Sequence, residues 1–222
     1  PVFTLVLQPA NPLHFSLYEL RTFFTRQLTN HARLHLHSSA AGIHRYPVIQ
    51  CKQVKNRLLV IGITQGADLL LDLSLGTQEL LLGENTSSII ERDQEIRNET
   101  VGISETLQRY EFLTPWLALN QQNAKKFYDL KGKPERDAFM QKILTGSIST
   151  FAKSIDCDLR APLMCRSKVR FRRERIHDEN VMVFLGTFAT NLRIPDYLGI
   201  GQSISQGFGT IRSVADDPGT LS

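Results

Sequence analysis

The sequence predicts an α+β chain built as two ferredoxin-like domains in tandem. Three observations carry this. Its 222 residues exceed the roughly 150 of an average domain. The first half orders its strand and helix signals as β-α-β-β-α-β, the ferredoxin-like pattern. The second half repeats the ingredients, helical stretches and then strands, with no repeat visible in the sequence itself. The expected division is residues 1–113 and 114–222.

Residues 2–8 alternate as a strand and end at the turn Pro9-Ala10-Asn11-Pro12. Ser16 and Glu19 form a capping box, and Leu17, Leu20, Phe24 and Leu28 follow at helical spacing. Residues 30–42, rich in His, Ser, Ala and Gly, carry no periodic apolar face and read as a loop. Ile43 to Val54 and Leu58 to Ile63 read as paired strands, Gly66 to Leu75 as a helix, and Ile89 to Leu113 as one or two strands. In the second half, Asn120 to Leu130 and Pro134 to Ile155 read as helices. Strands follow at 166–174 and 180–193, then a glycine-rich stretch and a last short strand at Thr210–Arg212.

Composition excludes several classes. Hydrophobic residues at 41% and charged residues at 22% are ordinary for a folded soluble chain. No apolar run approaches the ~20 residues of a membrane span, and Pro1-Val2-Phe3-Thr4-Leu5 lacks the basic lead of a signal peptide. Three cysteines, Cys51, Cys157 and Cys165, are too few and too scattered for a disulfide framework or a zinc finger. A cytoplasmic chain without membrane partners is expected.

The net charge of +4 is unevenly spread. Residues 1–110 hold ten basic and ten acidic side chains, so the second half carries the whole excess. Arg160, Arg166, Lys168, Arg170, Arg172, Arg173 and Arg175 fall within sixteen residues beside a single acid, Glu174. Such a run suits phosphates, although a solvated hairpin face fits it equally. Apolar residues alternate through Lys168-Val169-Arg170-Phe171-Arg172, which puts Lys168, Arg170 and Arg172 on one face of a strand.

Gly199, Gly201, Gly207 and Gly209 lie within eleven residues. Glycines there permit positive φ and close backbone approach, and free amides in such a loop can cradle an anion. No Gly-Lys-Ser/Thr completes a Walker loop, and no strand–loop–helix unit makes a dinucleotide fingerprint. On spacing alone the segment equally fits a tight strand connection.

The segment from Ile194 to Ile211, with its run-in Phe184-Leu185-Gly186-Thr187-Phe188, resembles the glycine-rich loop of the RAMP superfamily. It is most similar to the CRISPR-associated endoribonucleases that cut precursor CRISPR RNA inside each repeat. Upstream, His44-Arg45-Tyr46-Pro47-Val48-Ile49-Gln50-Cys51-Lys52 resembles the Arg-Tyr-Pro segment of one branch of these enzymes. Two departures stand out: Cys51 where Tyr is common, and Gln202 where Lys often follows the Gly-x-Gly. The resemblance implies tandem ferredoxin-like (RAMP/RRM-like) domains and CRISPR repeat RNA as the partner. RNA contacts would come from Arg45, Arg166, Lys168, Arg170, Arg172, Arg173, Arg175, Gly199, Gly201, Gln202, Gly207 and Gly209. A second copy of the chain and proteins of a CRISPR effector complex are further candidate partners.

Five of the six histidines, His14, His31, His35, His37 and His44, precede residue 45. His35 and His37 could begin a metal site, but no carboxylate lies between Glu19 and Asp68 to complete one. The matching branch of the family places a His-x-His just before its Tyr-Pro segment, which implies catalysis instead. Metal-free RNA scission must take a proton from the 2′-OH, give one to the 5′-oxygen and stabilise the charged phosphorane. Histidine can do either transfer near neutral pH. His37 is then general base or acid and His35 its complement, with His44 an alternative member. Tyr46 and Lys52, with Arg45, would orient or stabilise the phosphate. No cofactor and no metal are expected. The expected function is metal-independent cleavage within repeats, giving 2′,3′-cyclic phosphate and 5′-hydroxyl ends. The alternative is a non-catalytic RAMP protein that holds guide RNA in an effector complex.

Overall fold

The computed structural model describes residues 2–9, 22, 46–55, 57–74, 79–82, 85–176 and 179–214. It divides into two compact units, Pro1–Glu99 with Ser205–Gly207, and Thr100–Ile204 with Phe208–Ser222.

In the first unit, strand β1 (Val2–Pro9) runs antiparallel between β3 (Arg57–Ile63) and β5 (Asn85–Arg97), and β2 (Ile49–Val54) pairs with β3. Apolar Leu58, Leu59, Val60 and Ile61 make β3 a strand buried on both sides, as its continuous hydrophobic run requires. Helix α1 (Gln65–Ser74) follows it directly and packs on β1 and β3 through Ala67 and Leu70. A short strand β4 (Glu79–Leu82), not anticipated from the sequence, forms a hairpin with β5 and extends the edge. The order β2-β3-β1-β5-β4 is the ferredoxin-like arrangement with that one addition. The helix expected after Ser16 falls outside the described residues, save Thr22, which is helical.

The second unit starts at β6 (Gly102–Phe112), which pairs with β8 (Glu179–Arg193) and β9 (Ile211–Ser213). This differs from the expected division after residue 113. The pairing of β6 belongs wholly to the second sheet, so the units part between Glu99 and Thr100. Helices α2 (Gln121–Asp129) and α3 (Lys133–Ser154) lead to β7 (Cys165–Ile176), giving the order β7-β8-β6-β9. Asn120 caps α2 by accepting from the Asn123 N–H at 2.8 Å, and Pro134 sits in the first turn of α3, where its missing donor is harmless. Met140, Leu144, Ile148, Phe151 and Ala152 form the buried stripe of α3. Opposite them lies an aromatic core: Phe112 stacks on Trp116 at 5.1 Å, and Tyr110 stacks on Phe188 at 5.2 Å. None of the helices in the described residues is long and apolar enough to cross a membrane.

The strand order of both units matches, but the second crossover differs. Where the first unit has α1, the second has the glycine-rich segment with one short 3₁₀ turn, Ile204–Gln206, between β8 and β9. Gly201 adopts φ +105° against the Trp116 ring, and Gly209 adopts φ +61° with the Ile200 carbonyl where a Cβ would stand. Only glycine fits both backbone and space there. Gly209→Ala should therefore cost about 2 kcal/mol or more from left-handed strain and the blocked carbonyl. In a chain of this size that is a Tm loss of roughly 4–8 °C. Gly146→Ala, on an exposed turn of α3 with open space at its Cβ, should instead stabilise by about 0.5–1 kcal/mol. Thermal melts that rank the two variants alike would show that the loop tolerates a side chain.

Candidate nucleic-acid interface

The basic strand is an edge strand, and its register sorts its charges. Arg166, Lys168, Arg170 and Arg172 pair with Ala189, Thr187, Leu185 and Val183 of β8, so all four share one face. Arg109 of β6 stands on that face too, across Ala189 from Arg166. Glu111 lies across Thr187 from Lys168 but is engaged by Arg212. Arg172 is ion-paired with Glu174 on the same face. The sequence grouping of seven cations thus divides. Arg173 and Arg175 point to the helix side, where the Arg173 guanidinium lies 5.7 Å over the Tyr128 ring and donates to its hydroxyl at 3.2 Å. Arg109 is not singled out by the sequence, where it is one isolated cation in an expected strand; its place on this face comes from the pairing of β6 with β8.

The glycine loop is closed by the fold's own bonds. The Ile200 N–H donates to the Gly209 carbonyl at 2.9 Å, and the Gly209 N–H to the Pro115 carbonyl at 2.8 Å. The Gln202 N–H donates to the Leu117 carbonyl at 2.9 Å. These three amides therefore brace the loop instead of cradling an anion. Gly199, Gly207 and Gly209 are buried, while Gln202 is exposed at the loop surface.

In the first unit, Tyr46 is half-buried just before β2. The segment is pinned from both sides: the Gln50 side-chain amide donates to the Pro47 carbonyl at 3.1 Å, and the Ile63 N–H to the Val48 carbonyl at 2.9 Å. Gly62, on β3, abuts Gly66 and Ala67 of α1, which identifies the helix-facing side of the sheet. Lys52 pairs with Leu59 and so occupies the opposite side with Gln50, Ile61 and Thr4, all buried. His35, His37, His44 and Arg45 lie outside the described residues. Among the described residues no group of three His, Cys, Asp or Glu side chains is placed to hold a metal ion.

Lys52 is fully buried, and burial lowers its ammonium from the usual 10.5 to about 7, with Cys51 acting weakly the other way. Since the folded-state value lies below the unfolded one, the unfolded chain binds more protons between about 7 and 10.5. Stability should rise with pH across that window, by up to roughly 1.4 kcal/mol per pH unit, with the full burden of the buried cation present below it. Lys52→Met should remove this slope and be more stable than the natural chain at neutral pH. Urea unfolding of both proteins at pH 7, 8 and 9 measures the difference; parallel curves would mean that Lys52 is not the titrating group.

Comparison with known proteins places these features in a family. Residues 1–100 match the Cas6b N-terminal domain and residues 102–214 the Cas6b C-terminal domain. An uncharacterized protein of Methanocaldococcus jannaschii is 28% identical over 151 residues, which is 65% of this chain and 99% of that protein. A crystal structure of Cas6b is 27% identical, with a TM-score of 0.81 over 96% of this chain and 99% of that one. A crystal structure of the CRISPR RNA processing endoribonuclease Cas6b is 24% identical and shares the fold, with a TM-score of 0.70 over 96% and 98% of the two chains. With its halves matched in order by the two domains of one family, this chain belongs to the Cas6b family.

Proposed function

We propose that the chain is a metal-independent endoribonuclease that cuts precursor CRISPR RNA within its repeats, leaving 2′,3′-cyclic phosphate and 5′-hydroxyl ends. The carrying observation is the ordered match of both halves to the two Cas6b domains. A relative of the same fold is a CRISPR RNA processing endoribonuclease. The basic face of β7 supports an RNA path, since Arg166, Lys168 and Arg170, with Arg172 in exchange for its Glu174 partner, can follow successive phosphates along one side of a strand.

The chemistry rests on His35 and His37, with His44 as the alternative partner. One imidazole withdraws the 2′-proton and the other protonates the departing 5′-oxygen, each transfer contributing about 10²–10⁴-fold. Aligning the 2′-oxygen with phosphorus contributes through orientation. Tyr46, half-buried on a segment pinned by Gln50, offers a positioned hydroxyl to the phosphoryl oxygens. Lys52, with a pKa of about 7, can hold or release a proton at cellular pH, but its burial keeps it further from solvent than Tyr46.

His35→Ala and His37→Ala should each lower the single-turnover rate by about 10²–10⁴ while changing affinity little, because ground-state affinity comes from phosphate contacts. Cleavage of the natural substrate should continue in excess chelator, and a 2′-deoxy substitution at the cut should stop it. Cleavage of the deoxy substrate at the normal rate would remove the 2′-oxygen as nucleophile. Full activity in both histidine variants and in His44→Ala and Tyr46→Ala would remove the whole site.

Arg170→Gln with Arg172→Gln should weaken RNA binding and flatten its salt dependence. Each cation withdrawn from the phosphates of a single strand reduces the slope of log K against log salt by roughly 0.7. An unchanged slope would move the RNA path off this strand.

A further inference from the structure

Outside the basic face and the Tyr46 segment, the second unit holds a cavity of about 300 Å³ at the elbow between α2 and α3. It lies on the helix side of the sheet and is walled by Val169–Phe171 of β7. Its floor is apolar and buried: Phe127, Met140 and Phe184 are each at most 3% exposed. At its mouth Phe171 is 45% exposed and meets Phe127 edge-on at 5.5 Å. Lys131 and Lys133 stand exposed on the rim. Arg136 lies 5.3 Å over the Phe127 ring, fixed there by donating from Nε to the Leu130 carbonyl at 3.1 Å. Asp137 is the acid of the lining, and Glu135 is occupied by the Lys131 backbone N–H at 3.3 Å.

This composition is selective. An exposed aromatic ring beside a group of cations suits a ligand that is flat and anionic. A nucleotide meets both demands, its base stacking on Phe171 and its phosphate facing Lys131 and Lys133, and the cavity has the size of a small-ligand site. The Asp137 carboxylate supplies an acceptor for the N–H edge of a base. The position adds a path. β7 is an edge strand of its sheet: Arg166, Lys168, Arg170 and Arg172 share one face, this cavity lies against the other, and Arg170, between Val169 and Phe171, also borders the cavity. A chain crossing that edge passes from the cationic stripe to the cavity without leaving the strand. Beyond it, Tyr128 is 48% exposed under Arg173, a second ring and cation in the same direction.

We propose that the α2–α3 elbow is a nucleotide-binding pocket, in which one base of a single-stranded segment of the bound RNA stacks on Phe171 while its phosphates meet Lys131 and Lys133. The inference rests on the RNA-processing reading and adds a subsite on the opposite side of β7 from the expected RNA face. The pocket is an affinity and register site and carries no chemistry.

The test uses the full chain and a repeat RNA with a single-stranded flank, 5-iodouridine being placed singly along the flank. Irradiation should crosslink one flank position to Phe171 or its neighbours, located by peptide mass spectrometry. Phe171→Ala should weaken binding of the flanked RNA by about tenfold. Lys131→Glu with Lys133→Glu, both exposed and so without effect on packing, should weaken it at least as much. Both variants should bind an RNA trimmed of its flank like the natural chain and cut it at the natural single-turnover rate. Unchanged affinity for the flanked RNA in both variants, or crosslinks confined to Arg166 and Lys168, would overturn the pocket while leaving the RNA-processing reading intact. A natural chain that neither binds nor cuts repeat RNA would overturn that reading and the pocket with it.

Discussion

The indole of Trp116 is fully buried, stacked on Phe112 at 5.1 Å and met edge-on by Phe184 at 5.9 Å. Its backbone exchanges two hydrogen bonds with Phe184, at 2.8 and 3.0 Å, although no regular strand includes it. The residues on either side, Pro115 and Leu117, accept from Gly209 and Gln202 of the glycine loop. One short segment thus ties β8, the aromatic core and the loop into a single body. The indole N–H has no hydrogen-bond partner among the described residues, a burden of about 1–3 kcal/mol. Burial of the ring contributes about 1.5–3 kcal/mol, and two aromatic pairs contribute about 0.5–1.5 kcal/mol each. Packing outweighs the orphaned donor, and it dictates glycine at 201, where any Cβ would strike the indole.

That anchoring explains how a loop replaces a helix. In the first unit α1 covers the sheet after β3. In the second, the long helix α3 already buries Leu144, Ile148 and Phe151, and the loop needs only to return the chain from β8 to β9. Its Ile200 amide pairs within the loop and its Gln202 and Gly209 amides with the Trp116 segment, so it is braced where it meets the core, and Gln202 and Ser203 stand exposed at its surface. The anion cradle suggested by glycine spacing and the tight connection suggested by the same spacing are distinguished by where the N–H groups go. That information is not in the spacing.

Much of the architecture is legible in local patterns. Alternation is the signal for β1 and β7, continuous apolar runs mark β3 and Val181–Leu185 of β8, and helical spacing marks α1, α2 and α3. Strand membership is less legible, because alternation reports a half-buried strand and says nothing about its partner. The pairings of β6 join residues about eighty to a hundred apart, Tyr110 with Phe188 and with Ser213, so the division at Glu99 emerges only from the sheet. The seven-cation run is legible as charge, and its alternation separates Arg170 and Arg172 from Phe171. Which face meets the helices depends on Phe127, more than forty positions away, and that packing sends Arg173 to Tyr128. Tyr46 and Lys52 are equally alike as candidates in sequence, yet one is half-buried and the other sealed into the sheet. The α2–α3 cavity is assembled from three separated segments and leaves no local signature.

The charges of β7 admit a purely protective explanation, since natural sheets place cations on edge strands to block pairing with other chains. Protection accounts for some of the pattern, but not for its distribution. The other edge of the same sheet, β9, is kept safe by being three residues long and carries one cation, Arg212, which is neutralised by Glu111. On β7, by contrast, the central position between Arg170 and Arg172 is a phenylalanine nearly half open to water. An exposed aromatic on an edge is the feature that protection would remove, because it invites association. Its retention, beside a walled cavity and within a run of cations, is consistent with a surface that is covered in use. The cations then serve two ends: they keep the bare edge from pairing with protein, and they attract a polyanion that can screen the ring.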